Sequence, residues 1–185
     1  GGDCGDQRAP RERHPAAPAW DAEGHSVITR VGHHGNAYLL AFDANNGREI
    51  AAGSDKPRNE DVMSYTATPD RSRVAMVISN NTTIGDLYVA DAKTEAAPRR
   101  LTSFNDPLFN QLTMNEPEEI WYESFDKRRI QGWILKPPSF DPSKKYPLIV
   151  EIHGGPHSAY GNTFTHEFQW MAAKGYVVLY TNPRG

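Results

Sequence analysis

The chain has 185 residues, 38% hydrophobic and 23% charged, the balance of a globular protein rather than a disordered or membrane-embedded one. A formal net charge of −3 gives no electrostatic reason to expect nucleic acid or an anionic membrane as partner, and no apolar run approaches the ~20 residues that span a bilayer. The single cysteine, Cys4, excludes an internal disulfide and a cysteine-based zinc site.

The chain starts at Gly1 with nothing resembling a signal peptide, and it stops at Gly185 just after a strand-like run. Both ends are therefore expected to be cut. Between residues 19 and 106 the sequence repeats itself. Ala19-Trp20-Asp-Ala-Glu-Gly24-His-Ser-Val-Ile aligns with Ala67-Thr-Pro-Asp70-Arg-Ser-Arg-Val-Ala at an offset of 47. Tyr38–Asp43 aligns with Asp86–Asp91 at an offset of 48. Each unit reads as a turn with an acidic residue, a strand (Val27–Arg30; Val74–Ser79), a polar loop and a second strand ending in Asp. A third strand-like piece closes each one, Arg48–Ala51 after Asn45-Asn46-Gly47 and Arg99–Thr102 after Pro98. The terminal Asp can accept from the amides of the next turn and so fix a hairpin. A period of ~40–50 residues, rich in short strands, is that of a β-propeller blade, and two copies are too few for the ~4–8 that close a ring. A β-sandwich with chance likeness between strands is the plainer alternative. Trp20, heading a unit, is expected to pack between blades. His33-His34 is expected in a solvated hairpin turn.

After about Leu101 the pattern changes. Glu118–Ser124 and Arg129–Lys136 read as two strands joined by Phe125–Arg128, a hairpin-length connection whose Arg128-Arg129 tip is expected in solvent. Pro137-Pro138-Ser-Phe-Asp-Pro142 is a loop. Leu148–Ile152 reads as a strand buried on both faces, and it breaks into His153-Gly154-Gly155-Pro156. A helix over Phe164–Lys174 places Phe164, Phe168, Met171 and Ala172 on one face, with Gly175 as its stop. Tyr176–Thr181 is the next strand. Strand, helix, strand of this kind is a right-handed crossover in a parallel sheet. The glycine pair can turn the backbone sharply and aim amides outward, as an oxyanion hole requires.

On these motifs the chain resembles the prolyl oligopeptidase family of serine peptidases, closest to its acylaminoacyl-peptidase and dipeptidyl-peptidase-like branches. The likeness is most specific over KKYPLIVEIHGGPHSAYGNTFTHEFQWMAAKGYVVLYTNPRG, which is similar to the start of that family's catalytic domain. WYESFDKRRIQGWILKPPSFDPSKKYP is similar to its opening strands, and LTSFNDPLFNQL to the junction between its two parts. The resemblance implies β-propeller blades followed by the N-terminal part of an α/β-hydrolase domain, both incomplete: a partial propeller of about two blades over residues 1–112 and the start of the peptidase domain over 113–185. It implies a peptide substrate and no cofactor, with no nucleic acid or membrane partner. Compartment and oligomeric state are left open.

Residue roles follow from the same resemblance. Gly155 matches the family's backbone oxyanion donor, with Gly154 and His153 in the same loop. His153 stands where other branches carry a tyrosine whose hydroxyl does that work, so this chain favours the backbone donor. The family's nucleophile lies in a Gly-x-Ser-x-Gly elbow, followed by its Asp and His. No serine here, including Ser124, Ser139, Ser143 and Ser158, sits in such an elbow, so the catalytic Ser, Asp and His are expected beyond residue 185 and the fragment alone is expected to be inactive.

His153 and His157 are four apart but lie in a loop, where the spacing puts them on no common face, and no metal site is expected. His153 is expected instead to hold the loop by a hydrogen bond. Arg184, at the carboxyl end of the last strand, either touches substrate or braces the oxyanion loop through carboxylates, bracing being the plainer reading. Two alternatives to a peptidase stay open: a propeller-bearing binding protein with a vestigial hydrolase half, and a carboxylesterase.

Overall fold

The computed structural model describes residues 18–21, 23–50, 59–68, 70, 72–91, 97–155 and 158–184. Cys4, Ala51, Pro156, His157 and Gly185, together with Ala22, Pro69 and Arg71 of the two repeat turns, lie outside them. Among the described residues the chain forms two sheets.

The first sheet has two antiparallel units. β1 (Ala19–Trp20), β2 (Ser26–His33), β3 (Asn36–Asp43) and β4 (Glu49–Ile50) make one; β5 (Glu60–Ala67), β6 (Arg73–Asn80), β7 (Asp86–Asp91) and β8 (Arg99–Arg100) make the other. A single parallel pairing, Ala37 with Asp61, joins them into eight strands. The repeat read from the sequence recurs in the pairing. Trp20 faces Val27 as Ala67 faces Val74, and Phe42 faces Val27 as Ala90 faces Val74. Both entry turns close alike: Asp21 N–H donates to Ser26 O at 2.9 Å and Thr68 N–H to Arg73 O at 3.0 Å. At the end of β3 Asp43 Oδ1 accepts from the amides of Asn45 and Asn46 at 2.8 and 3.2 Å, leaving Gly47 at φ +69° to complete the turn.

The units share a core of Ile28, Leu39, Ala41, Val62, Val74, Met76, Ile78 and Ala90. Val31, Tyr38 and Leu40 pack as a second cluster. Arg30 ties the units further, its Nε donating to Val62 O at 2.5 Å and its Nη2 pairing with Asp61 at 2.7 Å. One expectation fails here, and one strand goes unread in the sequence. Trp20 is 54% exposed, because it sits on the two-residue outer strand β1 and not between the units. β5 was not foreseen: a register shift between Val62 and Ser64 leaves Met63 exposed and destroys the alternation by which strands are recognised.

A four-residue helix α1 (Asp106–Phe109), with Pro107 in its first turn, leads to the second sheet. Its strands are β9 (Glu118–Glu123), β10 (Arg129–Leu135), β11 (Leu148–Glu151) and β12 (Val177–Asn182), with helix α2 (His166–Ala173) between the last two. The order is β11-β12-β10-β9, with β11 and β12 parallel and the other pairings antiparallel. Phe168 and Ala172 of α2 pack on Trp133, Leu135, Val178 and Tyr180. The helix starts two residues later than expected, and Phe164 lies before it against the Phe109 ring at 5.2 Å. Gly175 at φ +93° ends it.

The strand over Leu148–Ile152 is not buried on both faces. Leu148, Val150 and Ile152 are 56%, 52% and 77% exposed. β11 is an edge strand, and α2 covers the sheet chiefly over β10 and β12. The last strand also runs one residue further than expected and includes Asn182.

Candidate active-site loop and its buttress

The parallel crossover sends the chain from the carboxyl end of β11 through a loop to α2 and back to β12, and open α/β sheets bind their ligands at such strand ends. Gly154 and Gly155 are exposed in this loop and His153 is half-buried. Gly154 is not in the left-handed region, and a Cβ built on it meets nothing within 4 Å. Its own backbone therefore does not demand glycine. His153 Nδ1 lies 2.9 Å from Gly154 O. A carbonyl only accepts, so a hydrogen bond here requires the tautomer with the proton on Nδ1.

The returning half of the loop is fixed more firmly. Tyr160 meets His153 edge-on at 5.2 Å and packs against Tyr180 and Phe168 at 5.3 and 5.6 Å. Burial raises the pKa of its hydroxyl, and Glu151 and Glu167 add to the rise. Its peptide groups are both taken by Asn182: Tyr160 N–H donates to Oδ1 at 2.7 Å, and Nδ2 donates to Tyr160 O at 3.0 Å.

Two residues on, Asn162 crosses to the first sheet. Its N–H donates to Gly35 O at 2.6 Å, its Nδ2 to Asn36 Oδ1 at 2.9 Å, and its Oδ1 accepts from Asn81 Nδ2 at 3.2 Å. Ser79 Oγ accepts from Phe164 N–H at 3.2 Å, and Gln169 Nε2 donates to Asn81 O and Asn115 O at 3.0 and 2.9 Å. A cavity of about 320 Å³ adjoins this seam, lined by Asn59, Asn80, Asn81, Glu116, Glu119, Trp133 and Asn162 among others.

The β2–β3 turn is part of the seam, not a solvated loop as expected. His34, at φ +49°, stacks on His33 at 3.9 Å and meets Trp121 edge-on at 5.0 Å. Its Nε2 is buried without a hydrogen-bond partner. Burial lowers its pKa; Glu119 opposes that shift and Arg129 reinforces it. Arg129 is exposed at the hairpin tip as expected, with its guanidinium over the Trp121 ring at 4.9 Å.

Arg184 pairs with Asp126 at 2.6 Å and lies over the Phe125 ring at 4.4 Å. It braces the β9–β10 turn, not the glycine loop. Among the described residues no group of three or more His, Cys, Asp or Glu could hold a metal, and no helix is long and apolar enough to cross a membrane. Asn36, Asn81, Asn162 and Asn182 were missed from sequence because each reads as an ordinary turn or strand-end residue. Gln169 alone carried a signal, as an amide beside Phe168 on the helix's apolar face.

No family model matches the sequence. Over 126 residues, 68% of this chain, it is 39% identical to the uncharacterized peptidase YuxL of Bacillus subtilis, of which it covers 19%. Over 182 residues, 94% of this chain, it is 28% identical to dipeptidyl-peptidase 5 of Arthroderma otae, of which it covers 24%. The fold matches Pyrococcus horikoshii acylaminoacyl peptidase with a TM-score of 0.75 at 30% identity, over 94% of this chain and 25% of that one. An acylaminoacyl peptidase in complex with Z-Gly-Gly-Phe-chloromethyl ketone matches at 0.76 and 30% over the same shares. The chain thus spans a quarter or less of the length of these relatives.

Proposed function

This chain belongs to the prolyl oligopeptidase family, and from that premise we propose that it is part of a serine peptidase cleaving short peptides through an acyl-enzyme. The two antiparallel units and residues up to 112 are read as propeller blades, and residues 113–185 as the start of an α/β-hydrolase domain. The observation that carries this reading is the β11–loop–α2–β12 crossover set behind an antiparallel hairpin, with Gly154-Gly155 at the carboxyl end of the first parallel strand. In an α/β-hydrolase that loop supplies one oxyanion donor and the residue after the nucleophile supplies another.

In the proposed reaction a serine oxygen outside this chain attacks the scissile carbonyl. Its proton passes to a histidine and the carbonyl oxygen gains negative charge. The Gly155 N–H donates to that oxyanion, and His153 holds the loop through Gly154 O. The bare space around Gly154 supports this, since a substrate carbonyl needs room that a side chain would fill. Arg184 is read as a brace at the rim, not a substrate contact.

The test uses the full-length protein. Gly155→Pro deletes the N–H and is expected to lower turnover of a peptide or activated ester by ~10²-fold or more. Circular dichroism supplies the folding control. Turnover within twofold of wild type in a folded variant refutes the assignment.

A further inference from the structure

We propose that Asn36, Asn81 and Asn162 form an amide clamp through which the first sheet positions the Gly155 loop, making them positioning residues for the reaction. The inference rests on the oxyanion reading above.

The segment from Ser158 to Thr165 belongs to no helix or strand, and much of its hydrogen bonding points outward. Asn162 sits at its centre. Three of this residue's polar groups bond across the seam, to Gly35, Asn36 and Asn81. The three asparagines are 9%, 7% and 2% exposed for Asn36, Asn81 and Asn162, so their bonds lie largely out of bulk solvent. The backbones touch as well: a Cβ on Gly161 would lie 2.6 Å from Gly35 O. Tyr160, two residues before Asn162, meets the His153 ring, and His153 holds Gly154 O. A continuous path of contacts thus joins the β2–β3 and β6–β7 turns to the candidate oxyanion loop.

The chemistry of the seam matters. Apolar packing is non-directional and tolerates sliding, whereas amide pairs fix distance and angle. A donor serving an oxyanion must hold its place to within about 0.5 Å, and a misplacement of about 1 Å can cost ~10²-fold in rate. Three buried amides at this point fix the loop in a way that Leu or Val at the same positions would not.

The experiment compares Asn36→Leu, Asn36→Asp and Asn162→Ala in the full-length protein. Asn36→Asp keeps an acceptor for Asn162 Nδ2; Asn36→Leu does not. Expected are a kcat lower by about tenfold for Asn36→Leu and Asn162→Ala, KM within about twofold, and kcat within about threefold for Asn36→Asp. The double variant Asn36→Leu/Asn162→Ala should be little worse than Asn162→Ala alone, because Asn162→Ala already removes the bond to Asn36. A purely structural role would lower the unfolding temperature and leave kcat of the folded enzyme unchanged. Should Asn162→Ala fail to fold, the Asn36 pair decides alone. Hydrogen exchange adds a second measure: amides at 160–163 should exchange about tenfold faster in folded Asn36→Leu than in wild type. Unchanged kcat in the folded Asn36→Leu variant, or unchanged exchange, overturns the clamp. A protein sensitive to Gly155→Pro but indifferent at Asn36 and Asn162 refutes the clamp alone. One indifferent at Gly155 refutes the oxyanion reading and the clamp's catalytic role together.

Discussion

Asn182 grips the Tyr160 residue by both of its peptide groups, accepting from its N–H at 2.7 Å and donating to its carbonyl at 3.0 Å. A side-chain amide here does what a neighbouring strand would do. Asn182 is 2% exposed and Tyr160 half-buried, so removing the amide leaves both peptide groups without their protein partner. Each buried peptide group left unmet costs about 1–3 kcal/mol. Asn182→Leu should therefore destabilise the protein by about 2–4 kcal/mol. Asn182→Asp, which keeps the acceptor, should lose about half as much. Denaturant unfolding of the full-length variants measures the difference, and equal losses would show that only one of the two bonds matters.

Glycine substitutions should separate backbone demand from site demand. A Cβ on Gly35, at φ +74°, would lie 2.6 Å from Trp133 Cζ2, and one on Gly161 would lie 2.6 Å from Gly35 O. Neither neighbour is a free side-chain end. Gly35→Ala and Gly161→Ala should each cost about 1–3 kcal/mol through overpacking, with left-handed strain added at Gly35. Gly154→Ala meets open space and should change stability by less than about 0.5 kcal/mol. Unfolding temperatures of the three variants check the ranking.

The sequence carried the repeat, the hairpin and the crossover because each is a local pattern. The offsets between Trp20 and Ala67 and between Phe42 and Ala90 are written in the chain and reappear as strand pairings. Burial was less legible. Leu148 and Val150 have the composition of a core strand, yet their exposure depends on which strand lies beside β11, which no local window contains. The glycine loop could be read as a motif. Its buttress could not, because Asn36 and Asn162 are joined only by the approach of two sheets and each looks like turn chemistry alone. His34 was misread for the same reason: the residue that buries it, Trp121, belongs to the other sheet.

That burial gives His34 a pH signature. Its pKa in the folded protein is lowered, so the unfolded state binds a proton that the folded state resists. The stabilisation is fully present above the unfolded value of about 6.5 and is lost as pH falls through the folded one. Unfolding midpoints should drop on acidification below about pH 6.5. In His34→Asn, which tolerates the left-handed backbone at φ +49°, that part of the slope should be missing. The comparison reads the slope only, since loss of the Trp121 contact lowers stability at every pH. An unchanged slope would place the titration elsewhere.

Arg184 should prove dispensable for substrate affinity. Its guanidinium is already engaged by Asp126 and the Phe125 ring. Both charges are partly exposed, and such pairs contribute about 0–1 kcal/mol. Arg184→Gln in the full-length enzyme should leave KM within about twofold and change stability by no more than about 1 kcal/mol. A large rise in KM would mean that the arginine leaves Asp126 to meet the peptide.

The 185-residue chain alone should hydrolyse neither peptides nor activated esters above background. It offers one candidate oxyanion donor at Gly155, but none of its serines lies in a Gly-x-Ser-x-Gly turn. Removing the triad from a serine peptidase leaves ~10³–10⁴-fold of catalysis over water, supplied by the oxyanion hole and substrate binding. That residue requires a formed pocket, whereas here Gly154 and Gly155 face open solvent and the outer strand β11 leaves Leu148 and Val150 exposed. A donor in water competes with water and gains little from the charge it meets. The direct assay is a serine-directed phosphonate probe applied to the isolated chain, with labelling read by mass spectrometry. The expected result is no adduct under conditions that label the full-length enzyme stoichiometrically. A stoichiometric adduct on any serine of this chain would place the nucleophile within residues 1–185 and overturn the division of labour proposed for the site.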